Sequence, residues 1–125
     1  MDTNANRTVA LFDSGVGGIS VLAEMIRRMP GESYLYFGDS AHAPYGSRPA
    51  AEVRALTERH AAFLLERGAK AIVVACNTAT GAAIAGLRKK YPEIPIIGME
   101  PAIKPAAIAH PGGRILVMAT PVTLT

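Results

Sequence analysis

The chain has 125 residues, enough for one domain or for part of a larger one. Thirteen Lys plus Arg against ten Asp plus Glu leave a net charge of +3, too weak for the dense positive face that nucleic acid demands, so no direct nucleic-acid partner is expected. Half the residues are apolar and there is a single Cys, which excludes whole-chain disorder, an internal disulfide framework and a Cys-based zinc cluster.

The longest apolar runs, such as residues 71–76, are far too short to span a bilayer, so no membrane partner is expected. Residues 1–7 are polar and lack the apolar stretch of a secretory signal. The expected setting is the cytoplasm, where a lone thiol stays reduced.

In chain order, residues 8–12 read as a buried strand, short, apolar and followed by glycines. Residues 19–29 read as a helix, with Leu22, Met25, Ile26 and Met29 on one face of a 3.6-residue period, stopped by Pro30-Gly31. Residues 34–37 are a second strand, and residues 38–48 a loop. Pro49 opens the next helix, where its missing N–H costs nothing. Val53, Leu56, His60, Phe63 and Leu64 mark its buried face, and Gly68 ends it. Residues 71–75 form a third strand, a continuous apolar run of the kind found inside parallel sheets. Residues 78–91 read as a helix closed by Pro92, 94–97 as a fourth strand, 101–109 as a short helix and 115–119 as a fifth strand.

Strands alternating with helices imply parallel strands joined by right-handed crossovers. The expected fold is α/β: an open three-layer α/β/α sandwich with a mostly parallel sheet. The few residues after 119 leave no room for a helix to cover the fifth strand, so the domain is expected to be incomplete at the C-terminus. In such sheets ligands bind beyond the carboxyl ends of the strands, beside a topological switch point.

Three loops after strands carry candidate chemistry. The first is Asp13-Ser14-Gly15-Val16-Gly17-Gly18, whose glycines let a ligand approach the backbone and whose following helix directs free N–H groups at it. It is neither a dinucleotide fingerprint, since Ser20 stands where a third Gly belongs, nor a phosphate-binding P-loop. The structural alternative is a tight turn with Asp13 satisfied by backbone N–H groups. The second is Pro44-Tyr45-Gly46-Ser47-Arg48, either a donor-bearing loop or simply a turn into the next helix. The third is Ala75-Cys76-Asn77-Thr78-Ala79-Thr80. A thiol at a helix N-terminus has its thiolate stabilised by the dipole, and Asn77 and Thr78 can donate to a carboxylate. The structural alternative is a buried Cys with Thr78 as helix N-cap.

In a parallel sheet, all three loops emerge on one edge. A carboxylate, a thiol and several small-anion donors would then share a cleft. That set suits proton transfer at carbon in a small carboxylate-bearing substrate, where a desolvated thiolate backed by N–H groups serves as base.

At these residues the sequence resembles the glutamate racemases of the cofactor-independent aspartate/glutamate racemase superfamily. The matching pieces are Phe12 to Gly18, Tyr36-Phe37-Gly38-Asp39, Pro44 to Arg48, Val73 to Ala79, and Ile96-Ile97-Gly98 with Glu100-Pro101-Ala102. The resemblance implies a two-thiol interconversion of L- and D-glutamate, supplying D-glutamate for peptidoglycan, cell-wall biogenesis and cell shape. Cys76 matches the first thiol and Asp13 the carboxylate that assists it. Asp13, Ser14, Pro44, Tyr45, Gly46, Ser47, Asn77 and Thr78 match positions that hold the substrate. No metal, pyridoxal phosphate or nucleotide cofactor is implied. Members of the family are often homodimers, and some are reported to interact with DNA gyrase.

The family pattern has two lobes, with a second Cys in a Cys-Thr-His context in the second. This chain has only Cys76. The expectation is therefore that residues 1–98 are the first lobe, lacking its returning C-terminal segment, and residues 99–125 the start of the second. The chain alone is expected not to racemise glutamate. The alternatives are a non-catalytic binding or regulatory fragment, and a racemase of another amino acid. His60 reads as a core or boundary histidine, His42 as a loop residue near the cleft and Arg88-Lys89-Lys90 as a solvated helix end.

Overall fold

A computed structural model describes residues 7–125; of the polar N-terminal stretch, residues 1–6 lie outside it. In chain order the elements are β1 (Thr8–Asp13), α1 (Gly18–Arg28), β2 (Ser33–Gly38), two short 3-10 turns (Ser40–His42 and Tyr45–Ser47), α2 (Ala50–Glu66), β3 (Ala69–Val74), α3 (Asn77–Lys90), β4 (Ile96–Gly98), α4 (Ile103–Ala109) and α5 (Pro121–Leu124). The four strands form one parallel sheet in the order β2-β1-β3-β4. The chain adds β2 on one side of β1 and then crosses over to place β3 on the other. The gap between the carboxyl ends of β1 and β3 is thus the switch point, where loops diverge and leave room for a ligand.

The two-residue period of β1 divides the core. Ala10 and Phe12 face α2 and α3, packing with Val53, Leu64, Ile72, Val74, Ala83 and Leu87. Val9 and Leu11 face the other way, with Val73, onto Val21, Leu22 and Met25 of α1. These are the three expected layers. The larger cluster lies on the α2–α3 side. Ile72, 1% exposed, sits inside it on β3. Ile72→Val should cost about 0.5–1.5 kcal/mol in urea unfolding, the loss of one well-packed methyl.

Helix ends follow local chemistry. The Tyr34 hydroxyl, 2.8 Å from the Met29 carbonyl and 3.1 Å from that of Met25, shares its proton between them and ties the end of α1 to β2. Gly68 terminates α2 with a φ of +87°, a conformation other residues adopt only with strain. Pro105 falls in the first turn of α4, where no helical N–H is needed.

Three expectations are corrected. The stripe on α1 is narrower than the period suggests: Leu22 and Met25 pack, while Ile26 and Met29 stand exposed. On α2, Phe63 is at the boundary rather than inside, with the Arg67 guanidinium 4.3 Å above its ring. Residues 115–119 are not a strand. Their side chains do alternate, with Ile115 and Val117 at 40% and 36% exposure against 87% and 88% for Leu116 and Met118. The segment has strand character but no ladder: the sheet ends at β4, which pairs only with β3, and residues 115–119 do not join its open edge. Beyond β4 the chain leaves the sheet, and it returns at α5, which packs on α3. Among the described residues no helix is long and apolar enough to cross a membrane.

Candidate active site

Asp13 ends β1 and Cys76 follows β3, so both stand at the switch point. The Asp13 carboxylate is buried and takes one backbone N–H on each oxygen, Ser14 on Oδ1 and Gly18 on Oδ2, both at 2.8 Å. The tight turn foreseen as its structural alternative is therefore present, and the turn itself forms one wall of a cleft. The aspartate caps the start of α1, where a negative charge is favoured.

Cys76, rather than Thr78, is the N-cap of α3. Its Sγ accepts the Ala79 N–H at 3.4 Å and donates to Ser14 Oγ at 3.7 Å. A thiolate on that sulfur would keep the Ala79 hydrogen bond and lie on the positive end of a 14-residue helix. Thr78 turns its hydroxyl to that of Thr120, 2.8 Å away.

The cleft has a volume of about 450 Å³ and is lined by Asp13, Gly17, Ser20, Val21, Ala75, Cys76, Asn77, Thr78, Met99, Pro101, Met118, Ala119, Thr120 and Thr123. It therefore gathers Asp13, Cys76, Asn77 and Thr78, with Ser14 bonded to the sulfur. The turn holding Pro44, Tyr45, Gly46 and Ser47 does not line it. The Tyr45 ring is 1% exposed and faces the core, its hydroxyl donating 2.6 Å to Asp39 Oδ2. Ser47 bonds back to the Pro44 carbonyl within the turn. Pro44 follows a cis peptide bond. Gly46 reaches the cleft indirectly, against Thr120, whose Cγ2 would lie 2.6 Å from any Cβ at that position.

Two groups of residues escaped the sequence reading. Thr120 and Thr123 bring hydroxyls to the cleft. A signal was available: Thr120-Pro121 is a helix start directly after an expected strand, the place where such folds put ligand groups. The second group is behind the Tyr45 turn. Asp39, 4% exposed, accepts from Tyr45, from His42 Nδ1 and from His60 Nε2. Burial alone would raise its carboxyl, but the bonds from Tyr45, His42 and His60 outweigh it and hold the group at about 2. Burial, and next the Asp39 carboxylate, push the Tyr45 hydroxyl far above its ordinary range, so it stays a donor.

Fold and site together define a doubly wound α/β lobe with a thiol, a carboxylate and small hydroxyl donors at its switch point. The model of the Asp/Glu/Hydantoin racemase family matches residues 13–125, and the chain belongs to that family. It is 53% identical over 124 residues to a glutamate racemase of Clostridium perfringens strain SM101, covering 99% of this chain and 48% of that protein. It is 59% identical over 116 residues to one of Pseudomonas paraeruginosa, covering 93% and 44%. Among solved structures, glutamate racemase of Thermus thermophilus in complex with beta-chloro-D-alanine superposes with a TM-score of 0.74 at 46% identity, over 88% of this chain and 41% of that one. The Escherichia coli enzyme in complex with L-glutamate and the activator UDP-MurNAc-ala gives 0.77 at 38% identity, over 86% and 41%. The chain thus spans about half the length of the curated relatives it matches.

Proposed function

We propose that residues 1–98 are the first lobe of a glutamate racemase, that residues 99–125 begin a second lobe, and that the cleft between lobes interconverts L- and D-glutamate. The observation that carries the reading is Cys76 Sγ held at the N-terminus of α3, 3.7 Å from Ser14 Oγ, in one cleft with the Asp13 carboxylate. The names of the relatives and the glutamate in the Escherichia coli complex support the substrate.

Removing the α-proton of glutamate leaves a carbanion beside a carboxylate, so the base must be strong and the new charge must meet donors. In this proposal the Cys76 thiolate takes the proton from one face. A second thiol, supplied by the other lobe, gives a proton to the opposite face, and the configuration inverts. Asp13 orients the substrate ammonium and assists Cys76. Ser14, Asn77 and Thr78 hold the substrate carboxylates. Because its hydroxyl is tied to Asp39, Tyr45 contributes through its backbone, together with Gly46 and the Pro44–Ser47 turn. The product would serve peptidoglycan synthesis in the cytoplasm, and the full protein would pair as a homodimer.

The test is α-proton exchange in heavy water with L- and D-glutamate in separate tubes, read by NMR, with chirality read by circular dichroism. The 125-residue chain should exchange one enantiomer without racemising it, and Cys76→Ala should abolish that exchange. Exchange that survives Cys76→Ala, or sustained racemisation by this chain alone, would overturn the assignment.

A further inference from the structure

His42 and His60 come from different elements, a 3-10 turn and the buried side of α2, yet both rings close on one carboxylate. His42 Nδ1 lies 2.8 Å from Asp39 Oδ1, and His60 Nε2 lies 2.8 Å from Asp39 Oδ2. The three ligand-type atoms all lie within 4.8 Å of one another. We propose that Asp39, His42 and His60 form a binding site for a borderline transition-metal dication such as Zn²⁺. The site is separate from the thiol cleft, and an ion there takes no part in the proton transfer proposed above.

Two imidazoles and a carboxylate are the donor set such ions prefer over Mg²⁺ or Ca²⁺. The spacing fits as well. Each histidine nitrogen lies 2.8 Å from its own Asp39 oxygen, so each such pair, roughly 2.0–2.2 Å from an ion, would subtend somewhat less than about 90° there, with the carboxylate ligating through both oxygens. Each ring already turns to Asp39 the nitrogen that would ligate. As the ion replaces the hydrogen bond, the ring proton moves to the other nitrogen.

The surroundings also suit an ion. Ligands are held by outer hydrogen bonds in metal sites, and here Tyr45 donates 2.6 Å to Asp39 Oδ2 while Arg48 Nε donates 2.8 Å to the His42 carbonyl. The Phe12 and Phe37 rings, 5.3 and 4.7 Å from the His60 ring, wall that side chain in. His60 and Asp39 are buried, whereas the His42 side chain is 37% exposed, which leaves an entry path on its side. Because Tyr45 hangs on the same carboxylate, occupancy would stiffen the Pro44–Ser47 turn.

Calorimetric titration of the metal-free protein with Zn²⁺, with Co²⁺ absorption as a second probe, tests this. One ion should bind in the micromolar range or tighter, and Co²⁺ should show d–d bands without a thiolate charge-transfer band. His42→Ala, at the surface, should weaken binding by more than the roughly 10–100-fold that loss of an outer partner costs. His42→Gln, whose amide can still donate to Asp39, should lose the ion as fully while unfolding at the wild-type urea midpoint. Cys76→Ser and His110→Ala should bind as wild type does. Absence of binding, equal binding in His42→Gln, or binding lost with Cys76→Ser would overturn the site.

Discussion

Asp39→Ala should lower stability by about 3–5 kcal/mol, a large share of the roughly 5–15 kcal/mol that holds a domain folded. The carboxylate is the common acceptor for Tyr45, His42 and His60. Without it the Tyr45 hydroxyl, on a side chain 1% exposed, and the His60 ring, 7% exposed, lose their partner inside the protein. A buried donor left unsatisfied costs about 1–3 kcal/mol, and here two are orphaned at once. His42 is open enough to turn to water, so its loss adds little. Urea unfolding at pH 7, followed by far-UV circular dichroism, gives the number; a loss below about 1 kcal/mol would mean that the network contributes nothing beyond ordinary surface bonds.

The same carboxylate sets an acid limb on stability. It is held at about 2 in the folded protein, below the roughly 3.9 of an unfolded Asp. The native state therefore favours the charged form, and the stabilisation is complete above about pH 4. It is lost as pH falls through the folded value, between about pH 4 and pH 2, and amounts to about 2 kcal/mol. In Asp39→Asn the fall over that window should be shallower by that amount.

What the sequence disclosed about this fold was local or periodic. The runs in β1 and β3 read as buried parallel strands because both faces of the sheet are covered, and apolar residues therefore run without alternation through residues 71–74. The buried side of α2 was legible at Val53, Leu56, His60 and Leu64, since one helix face meets one sheet face. The placing of Asp13 and Cys76 at a common edge followed from parallel topology alone. The segment 115–119 failed for a reason outside itself: its alternation encodes two faces, but a ladder needs a neighbouring strand, and that neighbour is no property of the segment. The Asp39 cluster was illegible for a related reason. His42 and His60 each have a bland reading alone, and only the packing of α2 against β2 brings them to one oxygen pair. The direction of Tyr45 was missed likewise, because a Pro-Tyr-Gly turn can present its ring outward or inward, and the buried acceptor that draws it in stands six residues earlier.

Gly38→Ala should destabilise the protein by about 2–3 kcal/mol and disturb the cleft from behind. Gly38 ends β2 directly under the Asp13–Gly18 turn. A Cβ there would fall inside the contact distance of the Gly15 carbonyl oxygen and 3.3 Å from Tyr36 Cε1. Backbone cannot swing aside as a side-chain tip can, so the turn must shift. The Tyr36 hydroxyl donates 2.8 Å to the same Gly15 carbonyl, and that bond would stretch with it. Ser14 precedes Gly15 and its hydroxyl accepts from Cys76, so the displacement reaches the sulfur through one residue. Amide NMR signals of residues 13–18 and 76–79 should move together in the variant, while those of α4 stay in place. Gly31→Ala is the matched control, since a Cβ there meets nothing within 4 Å. It should leave those signals unmoved and shift stability by no more than a few tenths of a kcal/mol to about 1 kcal/mol, upward. Equal effects of the two substitutions would mean that the close approach of Gly15 to Gly38 is not what holds the turn against the thiol.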